Sequence, residues 1–199
     1  MIHHHRIEGI PLQSGDVLCT HDGAEESLFG AVWRMLGRLL PGEIDHCVVY
    51  IGPGGRCVES GARGVIVFEM PGETWQSMPL APERELVDEL VGVAYPLAQE
   101  RFTAEEEASI RQGVVDFCLE MAAENRPYNF DFLNAQTARG FYCSQLVYKA
   151  YLQFGVDLNR NLGVPDDPLL GRIVFPEEIW NACFHRRVGV CEGDASPVP

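Results

Sequence analysis

The run Phe141-Tyr142-Cys143-Ser144-Gln145-Leu146-Val147-Tyr148-Lys149-Ala150-Tyr151 reads as a helix that begins at a cysteine. Gly140 breaks the chain just upstream, and Leu146, Val147, Ala150 and Tyr151 fall at helical spacing on one apolar face. A cysteine in a first helical turn feels unpaired backbone N–H groups and the positive end of the helix dipole. Both favour the thiolate, the nucleophilic form of the side chain. The competing reading is a buried structural cysteine, since free cysteines are among the most buried residue types. Ser144, next in the chain, is the poorer nucleophile because a hydroxyl ionises far less easily.

A nucleophilic thiol needs a base, and the chain holds six histidines. His3, His4 and His5 sit together in what reads as a loose leader, and His21 and His185 lie in stretches without a regular pattern. His46 opens Asp45-His46-Cys47-Val48-Val49-Tyr50-Ile51-Gly52, a β-branched and aromatic run that stops at Pro53-Gly54-Gly55. This is a strand followed by a hairpin turn, and Arg56-Cys57-Val58-Glu59-Ser60 is the returning strand. With an even turn of two or four residues, Glu59 shares a face with His46 and lies diagonal to it, within reach of a long side chain. An odd loop turns Glu59 to the other face, and a solvent-facing Glu59 fits the pattern equally well. A carboxylate on one imidazole nitrogen would fix the tautomer and support the imidazolium.

Three stretches together carry a resemblance: Leu12-Gln13-Ser14-Gly15-Asp16-Val17-Leu18, then Asp45 to Gly52 with Val58-Glu59-Ser60, then Tyr142 to Tyr148. They resemble the NlpC-type papain-like cysteine peptidases, and more closely the circularly permuted, YiiX/YebB-like branch. In that branch the histidine strand precedes the cysteine helix, as here, where Cys143 follows His46 by 97 positions. Arg126-Pro127-Tyr128-Asn129-Phe130-Asp131-Phe132 is similar to the aromatic and acidic stretch before the cysteine in the same branch. The resemblance spans roughly residues 11 to 180. It implies Cys143 as nucleophile, His46 as base, Glu59 as the residue that orients it, and an amide in a small peptide-like or amino-acid-containing substrate. One departure is Cys47, where many relatives carry a small residue; next to His46 in a strand, it points to the opposite face, into the core.

These residues need elements to hold them. Ser27 to Leu40 carries Leu28, Phe29, Val32, Trp33, Leu36, Leu39 and Leu40 at helical spacing, and Pro41-Gly42 stops it. Val65 to Phe68 and Leu90 to Leu97 read as strands, the second with Val91, Val93, Tyr95 and Leu97 alternating. Thr103 to Glu124 reads as a helix with a Thr103/Glu106 capping box and a buried stripe of Ile110, Val114, Phe117, Cys118 and Met121. Asn159 to Asp167 reads as a loop, Ile173-Val174-Phe175 as an apolar run, and Pro176 as the start of a short helix. The expected organisation is a flexible leader over 1–10, one domain over 11–191 and a disordered tail over 192–199.

Composition narrows the function classes. A chain of 199 residues suits one well-buried domain. Seven cysteines, an odd number without close pairing, fit a reducing compartment, and no signal-peptide pattern opens the chain, so a cytoplasmic location is expected. No stretch is apolar and long enough for an integral membrane segment. The net charge of −14 disfavours nucleic acid and anionic membrane surfaces and would suit an amine-bearing substrate. No Cys-x-x-Cys pair, His-Glu-x-x-His helix, phosphate loop, dinucleotide fingerprint or nucleophile elbow occurs, so no cofactor or metal is implied; Cys19 and His21 alone do not make a site.

The expected fold is therefore an α+β, papain-like domain of the permuted NlpC type, with an antiparallel sheet packed against the helix carrying Cys143. The expected chemistry is acyl transfer. A Cys143 thiolate attacks a carbonyl, His46 protonates the leaving group, and a thioester is hydrolysed. The Cys143 backbone N–H is one expected oxyanion donor, with Tyr142, Tyr50 and Asn129 as candidates for the second. Substrates would be a small peptide, an amino-acid amide or a related acyl compound. Two alternatives remain: a lipid-directed acyltransferase or thioesterase, with Ser27 to Leu40 lining an acyl groove, and a silent amino-acid or peptide binding module.

Overall fold

Tight turns at residues with positive φ generate most of the antiparallel structure. The computed structural model describes residues 1–22, 42–99, 101–160 and 173–189. The expected Ser27–Leu40 helix, most of the Asn159–Asp167 loop and the 192–199 tail lie outside the described residues. Glu8 and Gly9, with φ of 47° and 76°, join β1 (His4–Ile7) to β2 (Ile10–Gln13) in a two-residue hairpin turn. This corrects the expectation of a flexible leader over 1–10. Ile7, Ile10 and Leu12 are buried, so the hairpin is held by apolar packing rather than by its short ladder.

A six-stranded antiparallel sheet follows, in the order β6-β5-β4-β3-β7-β8. Its strands are β3 (Val17–Asp22), β4 (His46–Gly52), β5 (Arg56–Gly61), β6 (Gly64–Glu69), β7 (Asp88–Tyr95) and β8 (Phe184–Arg187). Among the described residues the α-helices are α1 (Ser77–Arg84), α2 (Ala104–Ala123), α3 (Cys143–Leu152) and α4 (Pro176–Ala182). One sheet face presents Cys19, Cys47, Val49 and Val58 to Val114 and Cys118 of α2 and Leu146 and Val147 of α3. The other presents Leu18, Val48, Tyr50, Cys57, Phe68 and Val93 to the β1–β2 hairpin. Each such side chain contributes about 1.5–3 kcal/mol by leaving water.

Two bulges decide which residues share a face. Between β4 and β5 the turn Pro53–Gly55 has three residues, and Gly52 pairs with Arg56. That odd loop by itself would turn Glu59 away from His46. Ile51 is an extra residue in β4, however, so that Tyr50 pairs with Cys57 and Val48 with Glu59. The bulge restores opposite parity and places Glu59 diagonal to His46. Between β3 and β7, Cys19 pairs with Gly92 and Thr20 with Leu90, which leaves Val91 as the extra residue. The even alternation expected for Val91, Val93, Tyr95 and Leu97 is thereby corrected: Val91 and Leu97 join the α2/α3 side, while Val93 lies on the hairpin side with Tyr95 against it. Below this bulge, Asp88 shares the face of Thr20.

α2 forms where expected, with the Thr103/Glu106 capping box in place. Its buried side also includes Arg111, which donates to Asp16 Oδ1 at 2.7 Å and to the Ser14 carbonyl at 3.0 Å. Gly15 has φ of 94°, and a Cβ there would lie 3.0 Å from the Tyr151 hydroxyl, which donates to the Gly15 carbonyl at 2.6 Å. The Ser14-Gly15-Asp16 stretch thus ties the β2–β3 turn to α2 and α3.

Gly55 adopts φ of 78°, and a Cβ there would sit 2.0 Å from the Met70 carbonyl oxygen. Gly72 adopts φ of 74° with nothing within 4 Å. Gly55→Ala should therefore cost at least about 2 kcal/mol, and Gly72→Ala only about 1 kcal/mol, in urea unfolding. Equal costs would show that the turn after β4 tolerates a different path.

Candidate active site

Cys143 stands at the first position of α3, where the first intrahelical bond runs from the Leu146 N–H to the Tyr142 carbonyl. The amides of residues 143–145 therefore have no intrahelical carbonyl to donate to, and they converge on the end of the helix. Neighbouring chain holds this end in place. Gln145 Oε1 accepts from the Tyr142 N–H and from Asn129 Nδ2, and its Nε2 donates to the carbonyls of Ala135 and Thr137. Ser60 Oγ, beside Glu59, donates to the Phe141 carbonyl at 2.6 Å, and Ser144 Oγ donates to the Val174 carbonyl at 2.7 Å. Ser144 is fully buried and so engaged in holding α3 to the segment before α4.

The Cys143 thiol reaches the carbonyl of Asp45, the residue before His46, at 3.9 Å. His46 Nε2 lies 2.8 Å from Glu59 Oε2. An ionised carboxylate only accepts, so Nε2 carries the proton, and Nδ1 is the nitrogen left for Cys143, which favours the charged form of His46. The structure brings Cys143, His46 and Glu59 together. The sequence spacing alone left the face of Glu59 open, and the Ile51 bulge closes that question.

Behind Glu59 lies a set of charges that sequence reading missed. Arg84, the last residue of α1, is fully buried. Its Nε donates to Glu59 Oε1 at 2.9 Å and one terminal nitrogen donates to Glu59 Oε2 at 2.7 Å. The remaining donors go to Asp88 Oδ1 at 2.8 Å, Asp88 Oδ2 at 2.9 Å and Ser77 Oγ at 3.3 Å. Asp88 further accepts from Thr20 Oγ1 at 2.8 Å and Ser77 Oγ at 2.6 Å. The guanidinium carbon lies 4.6 Å from the Phe68 ring centre and 5.1 Å from that of Trp75. The only signal in the sequence is the Arg84/Asp88 spacing of four, which reads as an ordinary surface pair.

Burial opposes charge on every member of this set, and their contacts outweigh it. Burial pushes the Glu59 carboxyl up, but Arg84 and the hydrogen bond with His46 bring it below its usual range. Burial likewise raises Asp88, and Arg84 reverses the direction. Burial disfavours the His46 imidazolium, yet its hydrogen bonds with Cys143 and Glu59 lift its pKa well above the ordinary imidazole value.

The other expected participants fall elsewhere. Tyr50 lies in the hairpin-side cluster, stacked on His5 at 5.6 Å, and burial raises its hydroxyl to about 12. That location removes it as an oxyanion donor, because it is four residues along β4 from His46. Asn129 donates to Gln145 and accepts from the Asp131 N–H, so both ends of its amide hold the loop before α3. Tyr142 remains beside Cys143, with its hydroxyl oxygen accepting from the Val174 N–H at 3.0 Å. His21 sits 3.7 Å from Glu89 near the surface, and His185 stacks on Trp180 at 4.0 Å. Cys19, Cys47, Cys57, Cys118 and Cys183 are all buried. No group of three or more His, Cys, Asp or Glu among the described residues could hold a metal ion, and no described helix is long and apolar enough to cross a membrane.

No family model, curated protein or solved structure matches this chain.

The charged set makes stability depend on pH in two opposite senses. Glu59 and Asp88, with lowered folded pKa values, stabilise fully above the unfolded carboxyl range near pH 4, and that contribution fades as pH falls through the folded values. His46, with a raised pKa, contributes fully below about pH 6.5 and loses its contribution as pH rises through the folded value. Urea unfolding should show a decline on the alkaline side that is shallower in His46→Gln, while the acid decline is shallower in Glu59→Gln. Parallel curves for wild type and His46→Gln would contradict the raised His46 pKa.

Proposed function

We propose that this protein is a cysteine hydrolase that cleaves an amide bond in a small peptide-like or amino-acid-containing substrate, as a member of the permuted NlpC-type, papain-like group. The observation that carries the reading is His46 with its Nε2 bound to the buried Glu59 carboxylate, beside a thiol at a helix N-terminus that reaches the carbonyl of the residue before His46. In this reading the Cys143 thiol gives its proton to His46 Nδ1, and the thiolate is favoured by the amides of the first turn. Sulfur attacks the substrate carbonyl, and the oxyanion is stabilised by the Cys143 N–H, with Tyr142 the remaining side-chain candidate for a second donor. His46 then protonates the leaving amine, and a thioester forms. His46 next takes a proton from water, which attacks the thioester and releases the acid and the thiol. Glu59 keeps the ring oriented and offsets its charge throughout.

Peptide-resolved alkylation with iodoacetamide tests the nucleophile without knowledge of the substrate. Cys143 should alkylate at least about tenfold faster at neutral pH than the five other buried cysteines of the described residues, and His46→Ala should remove that difference. In an amide and ester screen, Cys143→Ala should abolish turnover and His46→Ala should lower it at least about 10²-fold. A Cys143 no more reactive than the other cysteines, or full turnover in either variant, would exclude the mechanism.

A further inference from the structure

Glu59 touches His46 directly and supports its charged form, while the Arg84 guanidinium behind Glu59 offsets part of that support. The arrangement here holds a third charge. The Asp88 carboxylate accepts from the hydroxyls of Thr20 and Ser77, from the Trp75 indole N–H and from both terminal nitrogens of Arg84. Glu59, Arg84 and Asp88 thus carry one net negative charge in a site where all three are buried. Water does not screen that charge as it would at a surface.

We propose that Arg84 is a positioning residue for the Cys143–His46–Glu59 set, clamping both Glu59 oxygens with its planar fork, and that Asp88 cancels the Arg84 charge so that His46 faces net negative charge. The fork is the reason an arginine suits this place: Nε and one terminal nitrogen meet the two oxygens of Glu59, which leaves Glu59 Oε2 aimed at His46 Nε2. Phe68 and Trp75 fix the guanidinium plane from their ring faces. Asp88 reaches this place only because the Val91 bulge puts it on the face of Thr20, the cross-strand partner of His46.

The groups that bear on His46 are Glu59 from β5, Cys143 from α3 and, at longer range, Asp88 from β7; Arg84 from α1 acts on both carboxylates, and Thr20 of β3 is polar but does not titrate. Burial raises the hydroxyls of Tyr128 and Tyr142, and Cys143 adds to that rise. The purpose of the His46 charge rests on the hydrolase reading. The charge arrangement does not, and the two are tested apart.

The first measurement is the ring ¹⁵N titration of His46 by NMR in the whole protein. Asp88→Asn, which keeps the shape and removes the charge, should lower the His46 midpoint by about one pH unit. A folded Asp88→Asn with an unmoved midpoint overturns the proposal, since a merely structural Asp88 would lower Tm without moving His46. Arg84→Lys gives an independent check, because it keeps the charge and loses the fork. It should leave the His46 midpoint within about half a unit, disturb the Nε2 proton signal and slow Cys143 alkylation about tenfold. An Arg84→Lys protein with the wild-type Nε2 signal and alkylation rate overturns the clamp. If Cys143 is inert to alkylation in the wild type, the hydrolase reading falls while the His46 shifts still decide the charge arrangement.

Discussion

The buried contact between Glu59 and Arg84 is the constraint around which the rest of the structure is arranged. Moving two charges out of water costs several kcal/mol for each ion, and an isolated pair seldom recovers it. Here the recovery comes from completeness: all five guanidinium N–H groups find acceptors, and both Glu59 oxygens are bonded. Removing one partner would strand the other, a loss of about 3–5 kcal/mol for a buried pair. The chain therefore has to deliver β5, α1 and β7 to one place with little freedom.

The two bulges are the means of delivery. Ile51 compensates for a three-residue turn, and Val91 turns Asp88 onto the face of Thr20. Both occur where a strand carries a member of the charged set close to its end. A bulge changes the facing of every residue beyond it while the flanking ladder stays paired. Apolar side chains accept either face of this sheet, because both faces are covered, one by α2 and α3 and the other by the β1–β2 hairpin. The charged residues accept only one.

Cys143 comes from the opposite side of the sheet, and a separate set of polar bonds sets its position. Gln145 gathers the loop over 129–137 beneath the first turn of α3, and Ser60 links that turn to β5 next to Glu59. Cys143 and Glu59 are thus one hydrogen bond apart through the backbone, although 84 positions separate them in sequence. The Tyr151 hydroxyl performs the same service farther along α3, joining it to the β2–β3 turn, and the Asp16–Arg111 pair joins α2 to the same turn. In the proposed chemistry this stiffness matters, since thiol and imidazole must meet within hydrogen-bond reach.

Local residue chemistry was enough to place α2 with its capping box, the helix starting at Cys143, the β4–turn–β5 hairpin, the short helix at Pro176, and Cys47 in the core, because each depends on neighbours within a few positions. The same reading left the face of Glu59 open, took the first ten residues for a loose leader, gave β7 an unbroken alternation and saw nothing in Arg84 or Asp88. Those outcomes depend on contacts that are remote in sequence. A bulge is fixed by the partner strand as much as by its own residues, and the β1–β2 hairpin is held by an apolar face assembled from β3, β4 and β7. An arginine reads as a surface residue until two carboxylates and two aromatic rings from other elements enclose it. The sequence by itself determined the types and local geometry of Cys143, His46 and Glu59; only the tertiary structure decided that they meet, because parity across bulged strands and the pairing of buried charges are properties of several elements at once.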